Sequence, residues 1–213
     1  MSQNNKNIKI VGVGRGGSNV VCRLVEDSYL DSEYIILNYL KIAICYVNSN
    51  LGLKSLFIDR QAFPGDCAPE EFEKCYCTNG YNVFNHERKK ELDYIINTIF
   101  NGEFKHLILV SGFGLSRGLS SVATKWLVGL AKNYNIQVTV VCSIPFLFEG
   151  ERKQEDAIIV AGELIEKGIN VEIIYAQDLT NKYQDLNLLN CFERLNECLA
   201  ERVEVIYDVV ERS

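Results

Sequence analysis

The residues Ile8 to Asn19, IKIVGVGRGGSN, constrain this chain more than any other stretch. A short apolar run, Ile8-Lys9-Ile10-Val11, leads into four glycines, Gly12, Gly14, Gly16 and Gly17. Ser18 and Asn19 follow, and then a helix-like segment from Val20 to Glu26. A strand that turns through glycines into a helix N-terminus suits phosphate. The glycines let backbone amides approach the anion, and the helix end adds roughly half a positive charge. Gly12, Gly14 and Gly17 satisfy G-x-G-x-x-G, a pattern whose meaning depends on the chain around it.

That surrounding chain alternates strand-like and helix-like segments. Strands are predicted at Ile8–Val13, Ile42–Val47, Ser55–Ile58, Leu107–Val110, Ile136–Cys142 and Val171–Tyr175. Several are nearly continuous in Val, Ile and Leu, as in strands buried on both faces. Helices are predicted at Ser18–Asp27, Pro69–Cys77, Glu87–Phe100, Ser120–Asn133, Glu151–Lys167 and Leu188–Arg212. The helical period is plain in Leu188, Phe192, Leu195, Leu199, Val203, Ile206 and Val210. Such alternation implies an α/β fold with a doubly wound, mostly parallel sheet flanked by helices in three layers, Rossmann-like in outline. No linker, repeat or low-complexity segment divides the 213 residues, so one domain is expected.

Composition narrows the partners. A net charge of −6 argues against nucleic acid or an anionic membrane as a bulk electrostatic partner. No run is long and apolar enough to span a bilayer, and MSQNNKN is not followed by the apolar stretch of a secretion signal. The eight cysteines are scattered and form no C-x-x-C. They read as buried free thiols of a reducing, cytoplasmic compartment, not as a metal site or a disulfide framework.

In doubly wound folds ligands bind beyond the carboxyl ends of the strands. Two glycine turns collect on that rim: Gly14-Arg15-Gly16-Gly17-Ser18-Asn19 after the first strand, and Gly112 to Gly118 after Leu107–Val110. A dehydrogenase would place Asp or Glu at the end of the second strand to hold a ribose. The run IAICYV ends instead in Asn48-Ser49-Asn50, at longer than the usual spacing from the glycines. A nicotinamide or flavin site therefore ranks below a mononucleotide one. No G-K-[ST] follows the glycines, which excludes a Walker A loop.

Together these residues resemble the tubulin/FtsZ GTPase family, specifically its N-terminal nucleotide-binding domain. Ile8 to Asn19 is similar to that family's first phosphate loop, GVGGGGGN. Val47-Asn48-Ser49-Asn50 resembles its VNTD after the second strand. Gly65 with Pro69-Glu70 resembles the loop ending in NPE that faces the terminal phosphate. Pro145-Phe146-Leu147-Phe148-Glu149-Gly150 is close to PF-x-FEG, whose glutamate contacts the ribose. In the last helix, Phe192 and Asn196 match an aromatic that stacks on guanine and a residue that reads its edge. A spacing of four puts both on one helix face, about 6 Å apart. Phe192 also falls in the apolar stripe, where a core role is the alternative.

The resemblance implies a GTP- or GDP-binding domain. Its phosphates would lie on Gly14, Arg15, Gly16, Gly17, Ser18 and Asn19, and on Gly112, Gly114, Ser116, Arg117 and Gly118. Asn48, Gly65, Glu149 and Lys153 would complete the site, Phe192 and Asn196 would hold the base, and Mg²⁺ would ride with the phosphates. The chain departs from the family in two ways. Where the family has GGGTGTG, this chain has Gly114-Leu115-Ser116-Arg117-Gly118-Leu119-Ser120, with fewer glycines and no threonine. Family members also continue past the long helix, here about 187–212, into a second domain. An acidic loop of that domain completes GTP hydrolysis in a neighbouring subunit, so weak or no hydrolysis is expected of these residues alone. A different class of function competes: a non-binding paralogue that acts as an interaction module of a homo-oligomer or of a filament-forming relative.

Overall fold

A computed structural model describes residues 7–27, 30–38, 53–57, 84–116, 118–183, 185–188 and 190–213. Six parallel strands form one sheet: β1 (Ile8–Val13), β2 (Glu33–Asn38), β3 (Lys54–Phe57), β4 (His106–Gly112), β5 (Gln137–Ile144) and β6 (Asn170–Tyr175), in the order β3-β2-β1-β4-β5-β6. The helices are α1 (Gly14–Asp27), α2 (Phe84–Phe100), α3 (Leu119–Asn133), α4 (Glu151–Glu166), the short α5 (Leu179–Lys182) and the long α6 (Cys191–Glu211). The expected α/β doubly wound sheet is present, and every described strand pair is parallel.

Side-chain alternation assigns the two faces. Val11, Val13, Leu107, Leu109, Val140 and Cys142 pack against α2, α3 and α4. Ile8, Ile10, Ile108, Val110 and Val141 pack against α1 and α6. Central strands thus bury both faces, which explains their unbroken apolar runs. Lys9 interrupts the first run yet is buried on the α2 side. Its ammonium donates to the carbonyls of Ile99 and Asn101 at the end of α2 and pairs with Glu33 at 3.0 Å.

The structure has one strand that the sequence pattern does not announce. The strand after α1 is Glu33–Asn38, which was not among the predicted strands, whereas Ile42–Val47 and Asn48 lie outside the described residues. Only four residues of β2 are fully buried, so its hydrophobic signal is weaker than that of IAICYV. The predicted helix Pro69–Cys77 and Gly65 also lie outside the described residues.

Cys22, Cys142, Cys191 and Cys198 carry free thiols. Burial pushes the Cys142 thiol up to about 12, and burial with the charge of Glu26 pushes Cys22 up to about 11. The thiolate is the nucleophile, so both side chains are held in their unreactive form at neutral pH. Iodoacetamide at pH 8 is expected to leave Cys142 unmodified in the folded protein and to alkylate it in denaturant. Peptide mass spectrometry checks this, and fast native labelling of Cys142 would contradict its burial.

Candidate functional site

The strand order reverses between β1 and β4. A crevice opens at the carboxyl ends of such a strand pair, the usual ligand position in doubly wound sheets. Both glycine turns flank it.

The first turn is tighter than the sequence suggests. Helix α1 begins at Gly14, not Ser18, and Gly14 adopts a left-handed φ of 70° that glycine tolerates. Gly16 and Gly17 therefore stand in the first helical turn, where backbone amides have no partner within the helix. Close approach fixes the rest. A methyl group on Gly12 would lie 2.4 Å from the Gly17 carbonyl oxygen, and one on Gly17 would lie 2.0 Å from that of Val110. At Gly14 it would meet Ser120 Oγ at 2.3 Å, and at Gly16 it would meet Gly112 Cα at 3.4 Å. The two turns are thus in contact across the crevice. Arg15 and Asn19 are exposed. Ser18 is not: its hydroxyl is buried, donates to the Gly14 carbonyl at 2.6 Å and accepts from Asn38 Nδ2 at 3.5 Å. It shapes the turn from inside.

Asn38 also corrects the dinucleotide argument. The second described strand ends at this asparagine, so the spacing of its end from the glycines is the ordinary one. The missing carboxylate remains missing, and that alone carries the argument against a dehydrogenase.

The second turn follows Gly112. Phe113 N–H donates to the Ser143 carbonyl, tying the turn to β5, and Gly118 N–H donates to the Leu115 carbonyl. Ser121 Oγ donates to the same Leu115 carbonyl. Ser116 turns towards α4, where its N–H and Oγ donate to Asp156 Oδ2 at 3.0 and 3.2 Å. Gly114 is half-buried with open space beside it. Arg117 lies outside the described residues.

A third segment adjoins the crevice from β5. Residues Leu147–Glu149 form one 3₁₀ turn, and Glu149 Oε1 accepts the Phe146 N–H at 3.1 Å. Lys153 sits one helical turn on, 4.0 Å from Glu149. The start of α6 meets this segment. Phe146 stacks on Phe148 with centroids 5.0 Å apart, and the Phe192 ring stands nearly perpendicular to both, with centroids at 5.7 and 6.0 Å. Phe192 is 46% exposed, so it is not a core residue despite its place in the stripe. Asn196 is half-buried one turn further on. Burial pushes the neighbouring Cys191 thiol up, and the charge of Glu149 acts in the same sense, which places that carboxylate beside the start of α6.

Of the residues expected on the rim, the structure thus brings together Gly14, Arg15, Gly16, Gly17, Asn19, Gly112, Gly114, Ser116 and Gly118 around the two turns. Glu149, Lys153, Phe192 and Asn196 cluster at the β5–α6 side. Asn38, Ser120, Phe148 and Asp156 also belong to this region and carried no signal in the motif pattern. Only the FEG segment hinted at Phe148.

The architecture and the paired glycine turns define a doubly wound α/β domain. No protein-family model matches the chain. It is 24% identical over 214 residues to the cell division protein FtsZ of Coxiella burnetii, covering 99% of this chain and 51% of that protein. An empty FtsZ dimer from M. jannaschii matches with a TM-score of 0.71 at 18% identity, over 97% of this chain and 56% of that one. The GDP-bound monomer of CetZ1 from Haloferax volcanii matches with a TM-score of 0.67 at 17% identity, over 94% and 60%. The chain has the fold of these tubulin/FtsZ-type proteins, and it spans about half the length of the curated relatives it matches.

Proposed function

We propose that this domain binds a guanine nucleotide, GTP or GDP. The observation that carries the reading is the meeting, at one switch point, of two glycine turns with an exposed aromatic beside Glu149. The amides of Gly14 to Gly17, at the start of α1, suit phosphates, with Arg15 as a charged partner. Glu149 suits a ribose hydroxyl. The exposed ring of Phe192 suits the face of a purine, and Asn196 can both donate and accept along its edge. Asn48, Gly65, Arg117 and Lys153 would complete the sugar and phosphate side. Mg²⁺ would accompany the phosphates, held largely by them and by water. The likeness to GDP-bound CetZ1 supports the same ligand class. The likeness to TubZ of Bacillus thuringiensis, solved as a protofilament, favours association with copies of this chain or with a filament-forming relative, in a cytoplasmic setting.

Calorimetry with GTP, GDP and ATP tests the reading. Guanine nucleotides are expected to bind and ATP to bind far more weakly. Equal binding of ATP and GTP, or none, overturns it in favour of an interaction module. Phe192→Ala is expected to weaken GDP about tenfold, in line with the stacking of one base on one ring. An unchanged GDP affinity would remove Phe192 from the base site.

A further inference from the structure

The second glycine turn is already in contact with an anion. Asp156, on the second turn of α4, places one carboxylate oxygen within hydrogen-bond distance of both Ser116 N–H and Ser116 Oγ, at 3.0 and 3.2 Å. Ser116 is the middle residue of the turn between Gly112 and the start of α3, where a phosphate oxygen would seek backbone amides. An N–H donates well to one acceptor at a time. A carboxylate held there uses the donor, and its charge opposes a second anion nearby. The surrounding hydrogen bonds favour this closed arrangement. Leu115 is exposed, its carbonyl accepts from both Gly118 N–H and Ser121 Oγ, and the turn is folded onto itself with Ser116 directed at α4. Among the described residues no carboxylate is bonded to the first turn, and Ser18 Oγ is engaged by the Gly14 carbonyl and Asn38.

We infer that Asp156 is an internal competitor for phosphate, a latch that holds the Ser116 donors until a phosphate-bearing ligand displaces it. This rests on the nucleotide-binding reading for its ligand, but the latch has its own readout. Asp156 is a positioning residue: it acts through Ser116 and touches no substrate. The competition is specific to the phosphate end, so it leaves nucleoside affinity unchanged and weakens triphosphate affinity.

Calorimetry on the full chain and on its Asp156→Ala variant, with GTP, guanosine and inorganic pyrophosphate, tests it. The variant is expected to bind GTP about tenfold more tightly, the scale of one hydrogen bond to a charged group, and guanosine as before. Asp156→Asn, which keeps an acceptor and drops the charge, is expected to fall between. GTP affinity that is unchanged or weaker in Asp156→Ala overturns the latch while the nucleotide reading stands. Should the parent chain bind no guanine nucleotide, that reading fails, and pyrophosphate decides the latch. Tighter pyrophosphate binding by the variant supports it, and equal or weaker binding overturns it. Amide exchange of the ligand-free proteins provides a fold-independent check. Ser116 N–H is expected to exchange faster in Asp156→Ala while α3 and α4 keep their protection, and equal exchange at Ser116 overturns the latch.

Discussion

Gly17→Ala is expected to lower the midpoint of thermal unfolding by roughly 5–15 °C, the equivalent of about 2–4 kcal/mol in a domain of this size. Backbone conformation is not the reason, because Gly17 lies in α1 outside the left-handed region. Helix propensity would by itself favour alanine by about 1 kcal/mol. The loss comes from distance. The new methyl would lie 2.0 Å from the Val110 carbonyl oxygen, and Val110 sits in β4, buried and bonded on both sides by β1 and β5. Neither partner can yield cheaply, so α1 must lift off the sheet. Gly129→Ala supplies the contrast. Gly129 lies in α3, and a methyl there would meet nothing within 4 Å. The propensity term then acts alone, and stability is expected to rise by about 0.5–1 kcal/mol. Scanning calorimetry of both variants checks the pair. A Gly17→Ala protein as stable as its parent would refute the close packing of α1 on β4.

The same glycines show what a sequence can disclose. Gly12 and Gly17 are needed because two backbones nearly touch, and Gly14 because the chain turns through a left-handed φ. Each requirement excludes nearly every other residue, so the spacing can be read in the chain itself. Strand β2 is a weaker case. Glu33 and Tyr34 are half-exposed, and only Ile35, Ile36, Leu37 and Asn38 are fully buried. A longer apolar run at Ile42–Val47 therefore attracts the assignment. Hydrophobicity measures burial and says nothing about which run pairs with β1. The long helix α6 declares itself by its period, yet period alone cannot say that Phe192, at its first turn, stands clear of the core. Ser18 looks like a rim hydroxyl in sequence because its partner Asn38 lies 20 residues away, and Asp156 is 40 residues from Ser116. Contacts at such separations leave no local trace.

These contacts also explain why the two turns differ. The first is held by backbone against backbone, which only glycine permits. The second has exchanged glycines for side chains. Leu115 and Ser116 replace freedom of approach with fixed hydrogen bonds to Ser121, Gly118 and Asp156. A ligand that needs the amide of Ser116 must first break its bond to Asp156.

The second large effect lies at the opposite end of β1. Lys9→Met is expected to destabilise the fold by about 3–5 kcal/mol, the range seen when one partner of a buried ion pair is removed. Lys9 is 3% exposed, and each of its three ammonium protons has an acceptor: the carbonyls of Ile99 and Asn101, and Glu33 Oε2. Its charge also lies 4.5 Å from the centre of the Phe104 ring. The two carbonyls terminate α2, so the lysine does for that helix end what a C-terminal cation does elsewhere, but from a neighbouring strand. Glu33 stands opposite Lys9 in the β1–β2 register and also pairs with Lys54 of β3, so one carboxylate joins three strands. Methionine fills the space and leaves all of these acceptors short of a donor. Acid pH reads the same network. Burial alone would raise the Glu33 carboxyl, but the hydrogen bonds from Lys54 and Lys9 outweigh it and hold the group below its ordinary value. The stability it contributes is therefore full above that ordinary value, about 4.3, and is lost as pH falls through the lowered one. Lys9 works in the other sense: burial pulls its ammonium down despite Glu33, so removing it relieves a desolvation cost as well as an ion pair. Urea unfolding at pH 7 and at pH 4 separates these contributions. The parent is expected to lose more stability than Lys9→Met between the two pH values, because the variant has already lost half of the pairing at Glu33. Equal losses would show that Lys54 alone sets the Glu33 titration and that Lys9 acts only as the cap of α2.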